Sequence, residues 1–133
     1  MPEELNVPIR SEADLVVARL RGREMASQLR FSSSELTLIA TAISEVTRNI
    51  LSYAGRGELR LRLVREGQRA GVSIVASDRG PGIADLAAAM RDGYSTSGSL
   101  GLGLPGSKRL MDEFAIVSEI GQGTTVSMTK WQI

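Results

Sequence analysis

The sequence predicts a two-layer α/β sandwich, a mixed and mostly antiparallel sheet with helices on one face. Three observations predict it. Short stretches alternate apolar and polar residues at a period of two, the signature of half-buried strands. A long segment from Ser32 to Gly55 instead repeats its apolar residues at three- and four-residue steps, as a helix with one buried face does. Strand and helix patterns follow one another as β-α-α-β-β-α-loop-α-β-β, an order whose helices can cover one side of a sheet. Repeats, low-complexity tracts and linkers are absent, so residues 1–133 read as one domain.

Leu5 to Arg10 opens the chain as a strand with Leu5, Val7 and Ile9 on one side. Ser11 then reads as a helix N-cap, with Glu12 and Asp14 in the first turn and Leu15, Ala18, Met25 and Leu29 as a buried stripe. Arg19, Arg21 and Arg23 fall on its solvated side. The long helix follows, its stripe formed by Leu36, Ile39, Ile43, Val46 and Ile50, and Gly55 supplies a left-handed stop. Glu58 to Val64 alternates strictly, with Leu59, Leu61 and Leu63 inward; a turn at Glu66 to Arg69 leads into a second strand, Gly71 to Asp78. In that strand Val72, Ile74, Ala76 and Asp78 share one face, so an aspartate points the way the core residues point. Ile83 to Asp92 reads as a short alanine-rich helix, and Asp92 to Gly106 as a polar loop with five glycines. Its glycine content predicts high mobility without a ligand. Pro105 suits the first turn of a helix running to about Glu113. Phe114 to Ile120 and Thr124 to Trp131 close the chain as a hairpin across Gly-Gln-Gly.

Composition narrows the function. A chain of 133 residues with 42% hydrophobic and 23% charged residues can bury a core without disulfides or structural metal. A net charge of +1 argues against a dedicated nucleic-acid binder, which needs a concentrated basic surface. With no cysteine and no histidine, thiol catalysis, serine–histidine triads, histidine-rich zinc sites and internal phosphohistidine are excluded. Neither a signal-peptide core nor an apolar run of membrane-spanning length occurs, so a cytoplasmic protein without a membrane partner is expected.

Three features carry chemistry. Glu45 and Asn49 lie four apart, about 100° round the helix from the buried stripe, where an acid and an amide are costly to desolvate without a task. The plainer alternative is a surface pair between Glu45 and Arg48 beside a solvated amide. Asp78-Arg79-Gly80-Pro81-Gly82 ends a strand. It could be only a turn, but an inward carboxylate at a strand end can accept a hydrogen bond from the exocyclic amine of adenine, where guanine offers a carbonyl. Gly101-Leu102-Gly103-Leu104-Pro105-Gly106 enters a helix N-terminus, and its glycines permit close backbone approach to phosphate oxygens. A dinucleotide fold is disfavoured because Ser-Thr-Ser-Gly-Ser precedes the motif where a strand is required. A plain surface loop remains the simpler alternative.

Together these motifs resemble the GHKL superfamily of ATP-binding proteins, with its N box (Glu45 to Asn49), G1 box (DRGPG), glycine-rich lid with G2 box (GLGLPG) and closing Gly123-Thr124. The strings SEVTRNI, DGYSTSG, GLGLPGSKRLMDEF and a terminal KW resemble most closely the RsbT-type switch kinases of the bacterial stressosome, small serine/threonine kinases of partner-switching modules.

The resemblance implies a Bergerat ATP-binding fold, ATP as substrate and Mg²⁺ as cofactor. It implies Asn49 as the Mg²⁺ ligand, Glu45 as general base toward the attacking hydroxyl, and Asp78 on adenine with Thr124 assisting. Gly80, Gly82, Gly101, Gly103, Ser95, Thr96 and Ser97 would line the nucleotide, and Arg48 and Lys108 would offset phosphate charge. It also implies signalling roles: phosphorylation of STAS-domain antagonist and scaffold proteins, followed by release onto a downstream effector such as a phosphatase. A base suits an alcohol acceptor, whereas neutral histidine needs none. The alternative is an anti-sigma-factor kinase or a nucleotide-dependent module that sequesters its partner.

Overall fold

Alternating residues build five strands: β1 (Glu4–Ile9), β2 (Gly57–Glu66), β3 (Arg69–Ser77), β4 (Glu113–Glu119) and β5 (Gly123–Trp131). The computed structural model describes residues 3–82 and 103–132. The strands form one sheet in the order β1-β2-β3-β5-β4. Every neighbouring pair is antiparallel, which corrects the mixed sheet expected from the sequence. The reason lies in the connections. Two successive helices, α1 (Glu12–Ala26) and α2 (Ser33–Tyr53), run down and back between β1 and β2, so β2 starts where β1 ended and must reverse direction. A third helix, α3 (Gly103–Leu110), packs against α2. The expected helix from Ile83 to Asp92 lies outside the described residues.

One sheet face carries Val7, Ile9, Leu59, Leu61, Val72, Ile74, Ala76, Val126 and Met128, all buried. Against it α2 sets Ile39, Ile43, Val46 and Ile50, each at most 1% exposed, with Leu36 half-buried at its first turn. Leu15, Ala18 and Met25 of α1 complete the layer. Gly22 of α1 faces Ile43 so closely that a Cβ there would overlap the Ile43 Cδ1 methyl, and this close approach seats the two helices together.

The helix ends follow their local chemistry. Ser32 and Glu35 form a capping box, Glu35 N–H donating to Ser32 Oγ at 3.1 Å and Ser32 N–H to Glu35 Oε1 at 2.9 Å. Gly55, at φ +80°, turns the chain away after the Ala54 and Gly55 amides have both donated to the Ile50 carbonyl. Ser11 occupies the N-cap position of α1, yet its side chain caps no helix amide. Asp14 works there instead, its Oδ2 accepting the Arg10 N–H at 2.8 Å. The last helix stops at Leu110 rather than near Glu113, because Asp112 N–H donates to the Thr129 carbonyl at 3.0 Å and commits the chain to the sheet. At this end Trp131 is buried, its indole N–H donating to Glu113, with the Arg69 guanidinium 4.0 Å from the ring centre.

Candidate nucleotide site

The opposite end of the sheet, where β3 stops and β5 starts, gathers the strand-end motif. Asp78 directly follows β3. Its Oδ1 accepts the Gly80 N–H at 2.8 Å and the Thr124 N–H at 3.3 Å, while its own N–H donates to the Thr124 carbonyl at 3.0 Å. These bonds fix the carboxyl orientation. Oδ2 takes no hydrogen bond from the described residues and stays available to a ligand.

Close backbone approaches shape the surrounding loop. A Cβ on Gly123, at φ +113°, would overlap the Asp78 carbonyl, and one on Gly82, at φ +79°, would overlap the Glu119 carbonyl. Gly121 N–H donates to the Pro81 carbonyl at 2.9 Å, tying the strand-end loop to the β4–β5 turn. Gly80 presses on the last residue after α2, where a Cβ would come within 2.6 Å of the Ala54 Cβ. Asp78 and the end of the long helix thus belong to one packed unit.

On α2, Glu45 is 8% exposed and Thr47 fully buried. Arg48 Nη1 meets Glu45 Oε1 at 2.8 Å. The plainer pairing is therefore present, but its carboxylate is buried, not a solvated surface group. Ser44 and Thr47 turn their hydroxyls back onto the Ala40 and Ile43 carbonyls, at 3.0 and 2.7 Å. One turn on from Glu45, Asn49 is half-buried, and its amide has no hydrogen-bond partner among the described residues. An amide oxygen left open beside a buried acid suits a hard cation, which also takes phosphate oxygens. Among the described residues no cluster of three or more Asp or Glu could hold a metal by itself.

Gly103 opens α3, whose Ser107 is fully buried and whose Lys108 is exposed. Ser95, Thr96, Ser97 and Gly101 lie outside the described residues. The structure thus brings Asp78, Gly80, Gly82 and Thr124 into one loop system, with Glu45, Arg48 and Asn49 on the helix it packs against. Two contributors escaped the sequence reading. Ser118 bonds the Thr124 hydroxyl at 2.8 Å, and its signal was its inward place on β4 opposite Thr124. Ala54 gave none, because an alanine after a helix is unremarkable until Gly80 is seen against it.

Comparison with known proteins identifies the family. Residues 9–130 match the family described as the histidine kinase-like ATPase domain. The chain is 47% identical to the serine/threonine-protein kinase RsbT of Bacillus subtilis (strain 168) over 131 residues, 98% of each chain. It is 32% identical to the anti-sigma F factor of Pasteuria penetrans over 85% of this chain and 79% of that one. Among solved structures, one titled as the SiaB-SiaC complex from Pseudomonas aeruginosa superposes with a TM-score of 0.58, covering 97% of this chain and 89% of the other at 17% identity, a likeness of fold. No helix among the described residues is long and apolar enough to cross a membrane. The pinned strand-end aspartate, the helix bearing its acid and open amide, and these similarities place the chain in the histidine kinase-like ATPase family.

Proposed function

We infer that this chain is an ATP-dependent protein serine/threonine kinase that acts as a partner switch in bacterial stress signalling. The observation that carries the reading is the Asp78 carboxyl, one oxygen locked by two backbone amides and the other open, on a loop packed against the helix that bears Glu45 and Asn49. Asp78 Oδ2 accepts the adenine amine, and Thr124 and Ser118 hold the polar wall beside it. Asn49 offers its amide oxygen to Mg²⁺, which when bound neutralises phosphate charge during transfer. Glu45 removes the proton of the attacking hydroxyl, with Arg48 orienting its carboxylate. In this reading Ser95, Thr96, Ser97, Gly101 and Gly103 line the nucleotide, and Lys108 offsets phosphate charge.

The acceptors in this reading are hydroxyls on STAS-domain antagonist and scaffold proteins. Phosphorylation releases the kinase to a downstream effector such as a phosphatase, all within the cytoplasm and within one domain. Likeness to RsbT supports this reading, whereas likeness to anti-sigma F factor supports the second one, a kinase that sequesters a sigma factor.

Transfer of label from γ-labelled ATP to a STAS-domain protein in the presence of Mg²⁺ tests the proposal. Asn49→Ala and Asp78→Asn should each abolish it. Undiminished transfer in both variants would remove the site assignment.

A further inference from the structure

A cavity of about 710 Å³ opens at the end of the sheet face away from the helices, with Asp78 among its lining residues. Its floor is a row of directly paired residues across four strands: Pro8 opposite Glu58, Glu58 opposite Ser77, and Ser77 opposite Thr125. All four point away from the core by strand alternation, since Val7, Leu59, Ala76 and Val126 point into it. Arg10, Arg56 and Arg79 rise at the loop end of this row, and Gln122 closes one side.

Three exposed guanidinium groups converge here, and none has an ion-pair or side-chain hydrogen-bond partner among the described residues. Elsewhere on the sheet Arg60 reaches Glu4 and Asn6 and Arg69 reaches Glu66, while Arg62 and Arg65 are exposed and unpaired among the described residues but do not line this cavity. Like charges gathered without a partner repel, so the arrangement favours an incoming anion that pairs with them. The cavity is not uniformly basic. Glu58 lies in its floor, unpaired among the described residues, beside the Ser77 and Thr125 hydroxyls and the Gln122 amide. A polyphosphate offers only acceptors and would bring its charge against Glu58, whereas a peptide offers carboxylates to the arginines and N–H donors to Glu58.

We propose that this cleft on the open sheet face is a docking site for an acidic segment of a partner protein, gripped by Arg10, Arg56 and Arg79. Asp78 is also among the residues that line the cleft, so the cleft adjoins the proposed nucleotide site, but the arginine contacts do not require the nucleotide assignment to hold.

The test uses the full chain and a fluorescein-labelled hexaglutamate peptide, followed by polarisation at low salt. The Arg10→Ala/Arg56→Ala double variant should weaken binding by at least about tenfold, as the loss of two charge-assisted contacts does. Arg19→Ala/Arg21→Ala removes the same charge from α1 on the helical layer and should change binding by no more than about twofold. Glu58→Gln removes the like charge while keeping an acceptor, and should tighten binding, an effect that misfolding cannot produce. Absence of binding by the parent chain, equal losses in both arginine doubles, or weaker binding in Glu58→Gln would each overturn the proposal. Tighter binding of inorganic tripolyphosphate than of hexaglutamate at the same cleft would also overturn it, assigning the cleft to free phosphate.

Discussion

At the scale of single residues, burial and orientation separate the candidate base from an ordinary surface acid. Glu45 is 8% exposed and held by Arg48 at 2.8 Å, so a glutamine in its place keeps shape and hydrogen bonding but cannot take a proton. Glu45→Gln should retain nucleotide binding, measured by titration with a fluorescent ATP analogue, and lose about 10²- to 10⁴-fold in kcat, the usual range for a general base. A variant that kept full turnover would take the proton-accepting role away from Glu45. The sequence already showed these residues, because a four-residue spacing stacks Glu45 and Asn49 whatever the rest of the fold does. It could not show that Arg48 pairs with a carboxylate under cover, since burial depends on residues distant in the chain.

At the scale of elements, α2 is the piece whose start and stop were both legible. Ser32 followed three residues later by Glu35 forms the capping box, and Gly55 provides the positive φ at the other end. Ser32→Ala removes the acceptor for the Glu35 amide and should cost about 1 kcal/mol. In a chain of 133 residues that corresponds to a fall in Tm of roughly 4 °C, read by calorimetry. Ser11 shows the limit of this reasoning: its position is that of a cap, but Asp14 claims the neighbouring amide, and composition alone does not decide between two nearby acceptors. The early end of α3 was hidden for a similar reason, because the Asp112–Thr129 bond exists only once β5 is in place.

At the scale of the whole molecule, the two-layer architecture followed from element order, while the uniformly antiparallel sheet needed the directions of both helices between β1 and β2. The open-face cleft was invisible in sequence, because Arg10, Arg56 and Arg79 stand at three separate strand ends and only the sheet makes them neighbours. Because the proposed nucleotide site draws on α2, β3 and β5 together, ligand binding should stabilise the entire fold. ATP with Mg²⁺ at a hundred times its Kd should add about 2.7 kcal/mol and raise Tm by roughly 10 °C. GTP should give no comparable rise, and Asp78→Asn should remove the rise with ATP, both measured by differential scanning fluorimetry. The tight seams around Asp78 also bear on how such a chain can change over generations. Where Gly123 lies on the Asp78 carbonyl and Gly82 on that of Glu119, a single added methyl has nowhere to go, so mutation there is closed off. The exposed arginines of the open sheet face have no such confinement and are left as the ground on which new partners can be tried.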